Sequence, residues 1–384
     1  MDRAAFTERS PGRIVAIDFP RKDCAFIPDD MPPQWVFDGS LWPLLTEARA
    51  SLGKLDGIGQ TLPDPHLLLR PLQNREAISS SSIEGTYVTP EKLLLYDLDP
   101  REPQSANEEA ADWREVFNYG RALEQAALRL KDMPFCNWVI REMHSILMDG
   151  VRGREKGPGE FRKVHVQIGS SGRFVPPPAV EVERLMDNLQ AFMNLEESGY
   201  DPLVACFLVH YQFETIHPFK DGNGRVGRAL LAMMSYKKLG LAMPWLYMSA
   251  FYEEYREEYV QHLFDISTDG RWTEWIDFCL RGVIEQANDS IRRCNQLNRL
   301  RAEFHEGCDD HSSRTYRIID ELFRSPVVTV ASTSKHFAIT YHTARSDLEK
   351  LVKAKVLEEL PNHHPRTFYA PRIMDIAYGG PSGP

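Results

Sequence analysis

Residues 202–216 are almost continuously apolar (Leu203, Val204, Ala205, Phe207, Leu208, Val209, Phe213). Residues 224–239 carry Leu230, Leu231, Met233 and Met234 at helical spacing, up to a stop at Gly240. The two runs predict a pair of buried helices joined by a short loop. Further helical patterns lie at 41–52, 66–82, 107–130, 135–147, 180–193 and 272–284, with aromatics recurring between 245 and 264. Gly57, Gly59, Pro63 and Pro65 break the pattern between the first two. Residues up to 34 are rich in proline and charge and are expected to be irregular. His144, on the 135–147 pattern, reads as structural.

Period two appears once in this helical part. Val164, Val166 and Ile168 alternate with His165 and Gln167, Gly169-Ser170-Ser171-Gly172 makes a turn, and Phe174-Val175-Pro176-Pro177-Pro178 returns. This predicts a β-hairpin. After residue 301 the character changes. A polar linker (306–313) precedes a helix (314–323), a shorter and a longer helix (327–338, 340–354), a strand (356–360), a tip (361–365) and a return strand (367–370). That order resembles a winged helix-turn-helix. Residues 379–384 (GGPSGP) read as a disordered tail.

Composition narrows the class. The 384 residues suffice for two or three domains, and 42% hydrophobic content is that of an ordinary globular protein. No apolar run is long enough to span a bilayer, and no apolar segment follows Met1-Asp2-Arg3, so a cytoplasmic location away from membranes is expected. Six cysteines without CxxC spacing read as free thiols. The net charge of −10 opposes nucleic-acid binding by the whole molecule. Residues 312–372 reverse that balance locally, with ten Lys/Arg against six Asp/Glu.

The chemistry gathers between the two central helices, in His217-Pro218-Phe219-Lys220-Asp221-Gly222-Asn223-Gly224-Arg225-Val226-Gly227-Arg228. Gly222, Asn223 and Gly224 sit where the second helix begins, so unpaired N–H groups and the positive dipole end make an anion hole. Arg225 and Arg228, three apart, share one helix face and suit a polyphosphate. Asp221 is a lone carboxylate beside them, which suits Mg²⁺ completed by phosphate oxygens and water. His217 is the base of the group, a role worth about 10²–10⁴-fold in rate.

The string resembles the HPFxDGNGRxxR signature of the Fic (Fido) family at every fixed position. The likeness extends well over about residues 74–283. It implies a predominantly α fold with a helical core and one hairpin flap, and transfer of AMP from ATP to a hydroxyl of a target protein or of the chain itself. His217 would be the base and Asp221 the Mg²⁺ ligand. Gly222 through Arg228, Val226 and Gly227 included, would hold the nucleotide. Asn223 would position the α-phosphate, and Arg225 and Arg228 the β/γ end. By the same resemblance Ile168, Gly169 and Phe174 belong to a flap that holds the target by strand addition. Tyr259 and Leu263 would wall the adenine pocket, although Tyr259-Val260 stands where many members have a tyrosine pair.

A serine run closes the 66–82 helix: Ser79-Ser80-Ser81-Ser82-Ile83-Glu84-Gly85, with Gly85 as its stop. Glu84 falls in the last turn, where the helix dipole disfavours an anion and calls for a cationic partner. Ser80-x-x-x-Glu84-Gly85 resembles the family's inhibitory motif, in which the glutamate pairs with the second arginine, here Arg228. The expected organisation is an N-terminal extension with the inhibitory helix (1–100), the catalytic domain (101–304), a winged helix (312–372) and a flexible tail (373–384). Such a winged module binds DNA, docks proteins or dimerises, so DNA, a target protein and a second copy stand as expected partners beside ATP. The rival functions are phosphoryl transfer, transfer from another nucleotide or removal of AMP on the same scaffold, and a DNA-binding regulator with a largely closed nucleotide site.

Overall fold

The computed structural model describes all residues except 19–21, 62–64, 106, 151–153, 170–171, 308–311, 362 and 380–384. Strands β1 (Gly12–Ile17) and β2 (Asp23–Pro28) come first, paired antiparallel from Gly12↔Pro28 to Ile17↔Asp23. Helices α1 (Trp42–Thr61), α2 (His66–Ile83), α3 (Pro90–Leu98), α4 (Glu109–Asp132), α5 (Asn137–Leu147) and α6 (Val182–Met193) lead to the central pair, α7 (Pro202–Ile216) and α8 (Asn223–Lys238). Next come α9 (Ser249–Glu254), α10 (Arg256–Asp269) and the long α11 (Trp272–Glu306). The C-terminal part holds α12 (Ser313–Arg324), β3 (Val327–Thr329), α13 (Val330–Phe337), α14 (Tyr341–Lys353), β4 (Glu358–Glu359), β5 (Thr367–Tyr369) and α15 (Pro371–Tyr378). Here β5 lies between β3 and β4, antiparallel to both. The protein is mainly helical, with small antiparallel sheets.

Helix α7 is buried on every side from Leu203 to Phe213, as its apolar run demands. Pro202 opens it, and the Asp201 carboxylate accepts the Leu203 N–H at 2.8 Å. A first apolar core surrounds α7 and α8 and takes in α1 to α6, α9, α10 and the first half of α11. A second core joins Cys294, Leu297, Leu300 and Phe304 of α11 to α12, α14 and the small sheet.

Helix α2 lies between these bodies. On one side Glu76 is buried and accepts hydrogen bonds from Tyr119 Oη at 2.9 Å and the Ser249 N–H at 2.9 Å, fixing α2 to α4 and α9. On the other, α12 and α15 pack along it, Asn74 donates to Tyr378 Oη at 3.1 Å, and Arg75 pairs with Asp289 of α11. Removing residues from 312 onward therefore uncovers α2 and strips Leu297, Leu300 and Phe304 of their cover. At about 1.5–3 kcal/mol per large apolar side chain, the truncated chain is expected to melt on the order of 10 °C lower. Differential scanning calorimetry checks this; an unchanged melting temperature would mean that the module is an independent appendage.

Several sequence expectations are corrected. The opening residues are not irregular, because the alternation from Arg13 to Ile17 and from Cys24 to Ile27 pairs as a hairpin. Helix α1 runs through Gly53, Gly57 and Gly59 rather than stopping near 52. A Cβ on Gly59 would strike the Trp245 ring, so that glycine is there for close packing. Helix α11 continues past 284 to Glu306. Residues 373–378, expected to belong to a flexible tail, lie in α15, whose end is anchored by Arg293 donating to the Gly379 carbonyl at 3.0 Å. The 164–178 segment makes a single antiparallel bridge, Ile168↔Phe174, instead of a ladder. Its return arm is engaged elsewhere: the Val175 carbonyl accepts the Phe26 N–H at 2.9 Å, and the three prolines that follow have no N–H to give. The turn residues Ser170 and Ser171, most of the 306–313 linker with Cys308, and the tail from 380 lie outside the described residues. Cys24, Cys136, Cys206, Cys279 and Cys294 are free thiols. Among the described residues no helix is long and apolar enough to cross a membrane.

Candidate active site

The loop from His217 to Gly222 is set by its neighbours rather than by its own propensity. His217 ends α7 with φ 51°, a left-handed conformation that costs a non-glycine residue roughly 1–2 kcal/mol. Arg162 holds it there. Its buried guanidinium donates to the carbonyls of His217 at 2.8 Å, Val164 at 3.1 Å, Pro177 at 2.6 Å and Ile216 at 3.2 Å. One side chain thus ties the 164–178 segment to the 217–222 loop. Asn223 clamps the other end, its amide accepting the Phe219 N–H at 2.8 Å and donating to the Phe219 carbonyl at 2.9 Å. With both ends of that side chain engaged, a phosphate at Asn223 would meet its backbone. Gly222, at φ 76°, makes the turn into α8.

His144 is buried under the loop, as a structural histidine should be. Its Nδ1 accepts the Gly159 N–H at 2.9 Å, its Nε2–H donates to the Asp221 carbonyl at 3.1 Å, and its ring stacks on Phe219 at 3.8 Å. Burial pushes its pKa down to about 4.

The Nδ1–H of His217 donates to the Glu214 carbonyl at 3.3 Å, which leaves Nε2 as the bare nitrogen. Burial lowers the pKa of His217 to about 4, so the ring is neutral near pH 7. Asp221, 45% exposed, accepts the Gly222 N–H on Oδ1 at 2.7 Å, and its ion pairs among the described residues are long, to Lys156 Nζ at 3.7 Å and Arg225 Nη2 at 3.8 Å. Its carboxylate is therefore available to a cation. Among the described residues no three His, Cys, Asp or Glu side chains gather into a metal cage. A lone carboxylate fits Mg²⁺, whose remaining ligands are phosphate oxygens and water.

The two arginines of α8 go different ways. Arg225 pairs with Glu115 of α4 at 3.1 Å. Arg228, with 2% of its side chain exposed, donates through Nε to Ser80 Oγ at 2.9 Å and through Nη2 to the Ser80 carbonyl at 2.8 Å and Glu84 Oε1 at 2.7 Å. The expected partner of Glu84 is thus the one it has. Glu84 caps α2, and Gly85 ends that helix at φ 92°. Burial acts to raise the Glu84 pKa, but Arg228, with Arg225 and His217 behind it, holds it below the ordinary carboxylate value. Burial acts to lower the Arg228 pKa, but Glu84, with Tyr259 and Glu214, leaves it a stronger base than a free guanidinium. A Cβ on Gly224 would collide with Glu84 Oε1, so the absent side chain makes room for the carboxylate at the start of α8.

Glu84 divides the site. On one side is a cavity of about 390 Å³ lined by polar groups, among them Arg114, Glu115, Lys156, Asp221 and Arg225. On the other is a cavity of about 450 Å³ lined by His217, Gly224 and Arg228 and by Tyr259, Val260, Leu263 and Phe264. Ile168, Gly169 and Phe174 line this second cavity as well. Among the described residues Glu84 is the one side chain that lines both. Tyr259 stacks on Tyr252 at 4.3 Å and donates its hydroxyl to His210 Nε2 at 2.9 Å, while His210 Nδ1–H donates to the Gly227 carbonyl at 3.1 Å. Val226 is buried in the core behind the loop.

Sequence reasoning missed Glu115, Arg162, His210 and Glu214, each of which touches the site from outside the signature. Only Arg162 had a local signal, the Gly157-Pro158-Gly159 turn just before it.

Comparison with known proteins agrees with this geometry. The model described as Fic/DOC family N-terminal matches residues 42–128, and the model described as Fic/DOC family matches residues 134–235. The chain belongs to the Fic/DOC family through these residues. Curated relatives include the protein adenylyltransferase Fic of Drosophila grimshawi, 37% identical over 93 residues, 24% of this chain and 18% of that one. The protein of the same name from Culex quinquefasciatus is 36% identical over 74 residues, 19% and 14% of the two chains. The chain thus spans less than a fifth of the length of these relatives. Among solved structures, a Fic family protein from Desulfovibrio desulfuricans G20 superimposes with a TM-score of 0.53 at 20% identity, over 88% of this chain and 97% of that one. Fic-1 (residues 134–508) from C. elegans gives 0.54 at 20% identity, over 68% and 74%. At that identity the structures speak for the shared fold.

Proposed function

We propose that the protein is an adenylyltransferase that moves AMP from ATP to a hydroxyl of a protein side chain, and that Glu84 holds it largely inactive. The observation that carries this reading is Glu84 standing on Arg228 between the two cavities. One cavity suits a nucleoside, with flat apolar walls. The other suits a charged tail and a cation. A nucleotide spanning both must pass the position Glu84 occupies. It must also engage Arg228, three of whose five N–H donors Ser80 and Glu84 already take.

In the reaction, Nε2 of His217 takes the proton of the target hydroxyl as its oxygen attacks the α-phosphorus. The bond from that phosphorus to the oxygen bridging to the β-phosphate breaks, and pyrophosphate leaves. The N–H groups at the start of α8 hold the phosphate oxygens, and the arginines hold the charged tail. Mg²⁺, held by Asp221, would neutralise the charge of the departing pyrophosphate. Ile168, Gly169 and Phe174, which line the cavity of His217, are placed to align the target segment.

DNA forms no part of this reading. Two arginines of the 312–372 module are engaged within it, Arg345 with Glu349 at 2.9 Å and Arg366 with Glu359 at 2.7 Å. Intact-mass measurement after incubation with Mg·ATP tests the proposal: an added AMP on the chain or on lysate proteins supports it, whereas an added phosphate, or no change with Glu84→Gly, contradicts it.

A further inference from the structure

The cavity that contains His217 holds two carboxylates, Glu84 and Glu214. Glu84 has Arg228. Glu214, three residues before His217 in α7, has its Oε1 buried without a hydrogen-bond partner. A buried carboxylate oxygen without a donor is costly and uncommon. The fold nevertheless makes space for it, since a Cβ on Gly227 would collide with that same oxygen. Burial pushes the Glu214 carboxyl up to about 7, against the pull of Arg228. A group held this way is short of donors.

The position of Glu214 says which donors. Gly224 and Arg228 suit a phosphate and Tyr259, Val260, Leu263 and Phe264 suit a base, and all of them line the same cavity as Glu214. Glu214 lies one helical turn before His217 in α7, with its Oε1 against Gly227, the neighbour of Arg228 in α8. In a nucleotide laid along the cavity, what lies between phosphate and base is the sugar. Its two vicinal hydroxyls are donors, and an ionised carboxylate is a pure acceptor with two oxygens, the complement used wherever an acidic side chain holds a ribose. Two other polar groups of the cavity are engaged: Arg173 donates to Gln261 at 2.9 Å and lies 3.8 Å over the Phe264 ring, and Ser267 meets Tyr211 Oη at 3.0 Å.

We propose that Glu214 is the ribose-binding residue of this site, accepting hydrogen bonds from the 2′- and 3′-hydroxyls of the nucleotide and so selecting ribonucleotides over their deoxy forms. The proposal rests on the adenylyltransferase reading and adds to it a specificity determinant outside the signature.

The test is calorimetric titration of the full chain with ATP, 2′,3′-dideoxy-ATP and inorganic tripolyphosphate. It uses Glu84→Gly as the parent, with Glu214→Gln and Glu214→Ala added to it. The parent is expected to bind ATP about tenfold or more tighter than the dideoxy analogue, the scale of hydrogen bonds to a charged group. In both Glu214 variants that gap is expected to shrink to threefold or less, with tripolyphosphate affinity unchanged. Glutamine keeps the shape of the side chain, so a folding defect confined to the alanine variant leaves the test intact. Equal discrimination in parent and variants would overturn the ribose assignment while leaving the transferase reading in place. So would a parallel loss of tripolyphosphate binding in both variants. A parent that binds no nucleotide would overturn both.

Discussion

Replacing Glu84 by glycine is expected to raise AMP transfer at least about tenfold, the scale at which a small misplacement of the reacting groups acts on rate. The variant removes the one side chain shared by the two cavities and frees the donor that Arg228 gives it at 2.7 Å. Ser80 and Glu84 take the Nε and Nη2 donors of Arg228, so while they hold it a phosphate is left with the Nη1 edge of the fork alone. In the wild type a nucleotide would still meet the N–H groups of α8 and Arg225, with its α-phosphate turned from the line of attack. Arg228→Ala removes the inhibitor's anchor together with the phosphate's, so it is expected not to restore activity. Transfer rates with labelled ATP in lysate, compared across wild type, Glu84→Gly and Arg228→Ala, check this. Arg228→Ala matching Glu84→Gly would show that the arginine serves only to hold the inhibitor.

His217→Ala, in the Glu84→Gly background, is expected to lower transfer by about 10²-fold or more while nucleotide affinity stays within about twofold. His217 is the one histidine lining the cavity, its Nε2 is the bare nitrogen, and its backbone, not its ring, is what Arg162 holds. Its lowered pKa sets the pH dependence. Burial keeps the base form down to about 4, and Glu84, which acts to raise the value, is absent from the active variant. At saturating Mg·ATP the maximal rate is thus expected to hold as pH falls through 6.5, the ordinary histidine value, and to decline only well below it. A limb at the ordinary value would mean that the histidine is solvated in the working enzyme. A variant retaining near-native rate would remove His217 from the reaction.

The parts of the site legible in sequence were those within one helix and the loop before it. The α7–α8 pair was visible because burial on all sides leaves a continuous apolar run, and the signature because its chemistry is dense and local. Glu84 was legible for a different reason: an anion at the end of a helix calls for a cation, and the resemblance to the family's inhibitory motif pointed to Arg228. What stayed hidden depends on contacts between segments far apart in the chain. Glu115 is an ordinary charged residue until α4 brings it to Arg225 of α8, and so is Arg162 until the 157–162 turn brings it to the end of α7. Glu214 sits inside an apolar helix pattern with nothing local to mark it. Glycines misled twice. Gly59 reads as a breaker, yet it lets α1 pack on Trp245, and the glycine turn at 169–172 suggested a full hairpin where the return arm pairs with β2 instead.

The most direct test of the central claim is the fate of the label when Glu84→Gly is incubated in lysate with ATP labelled at either the α- or the γ-phosphate. The account predicts that protein bands take up the α-label and not the γ-label, and that His217→Ala abolishes the signal. Uptake of the γ-label, or α-label uptake that survives loss of His217, would contradict it.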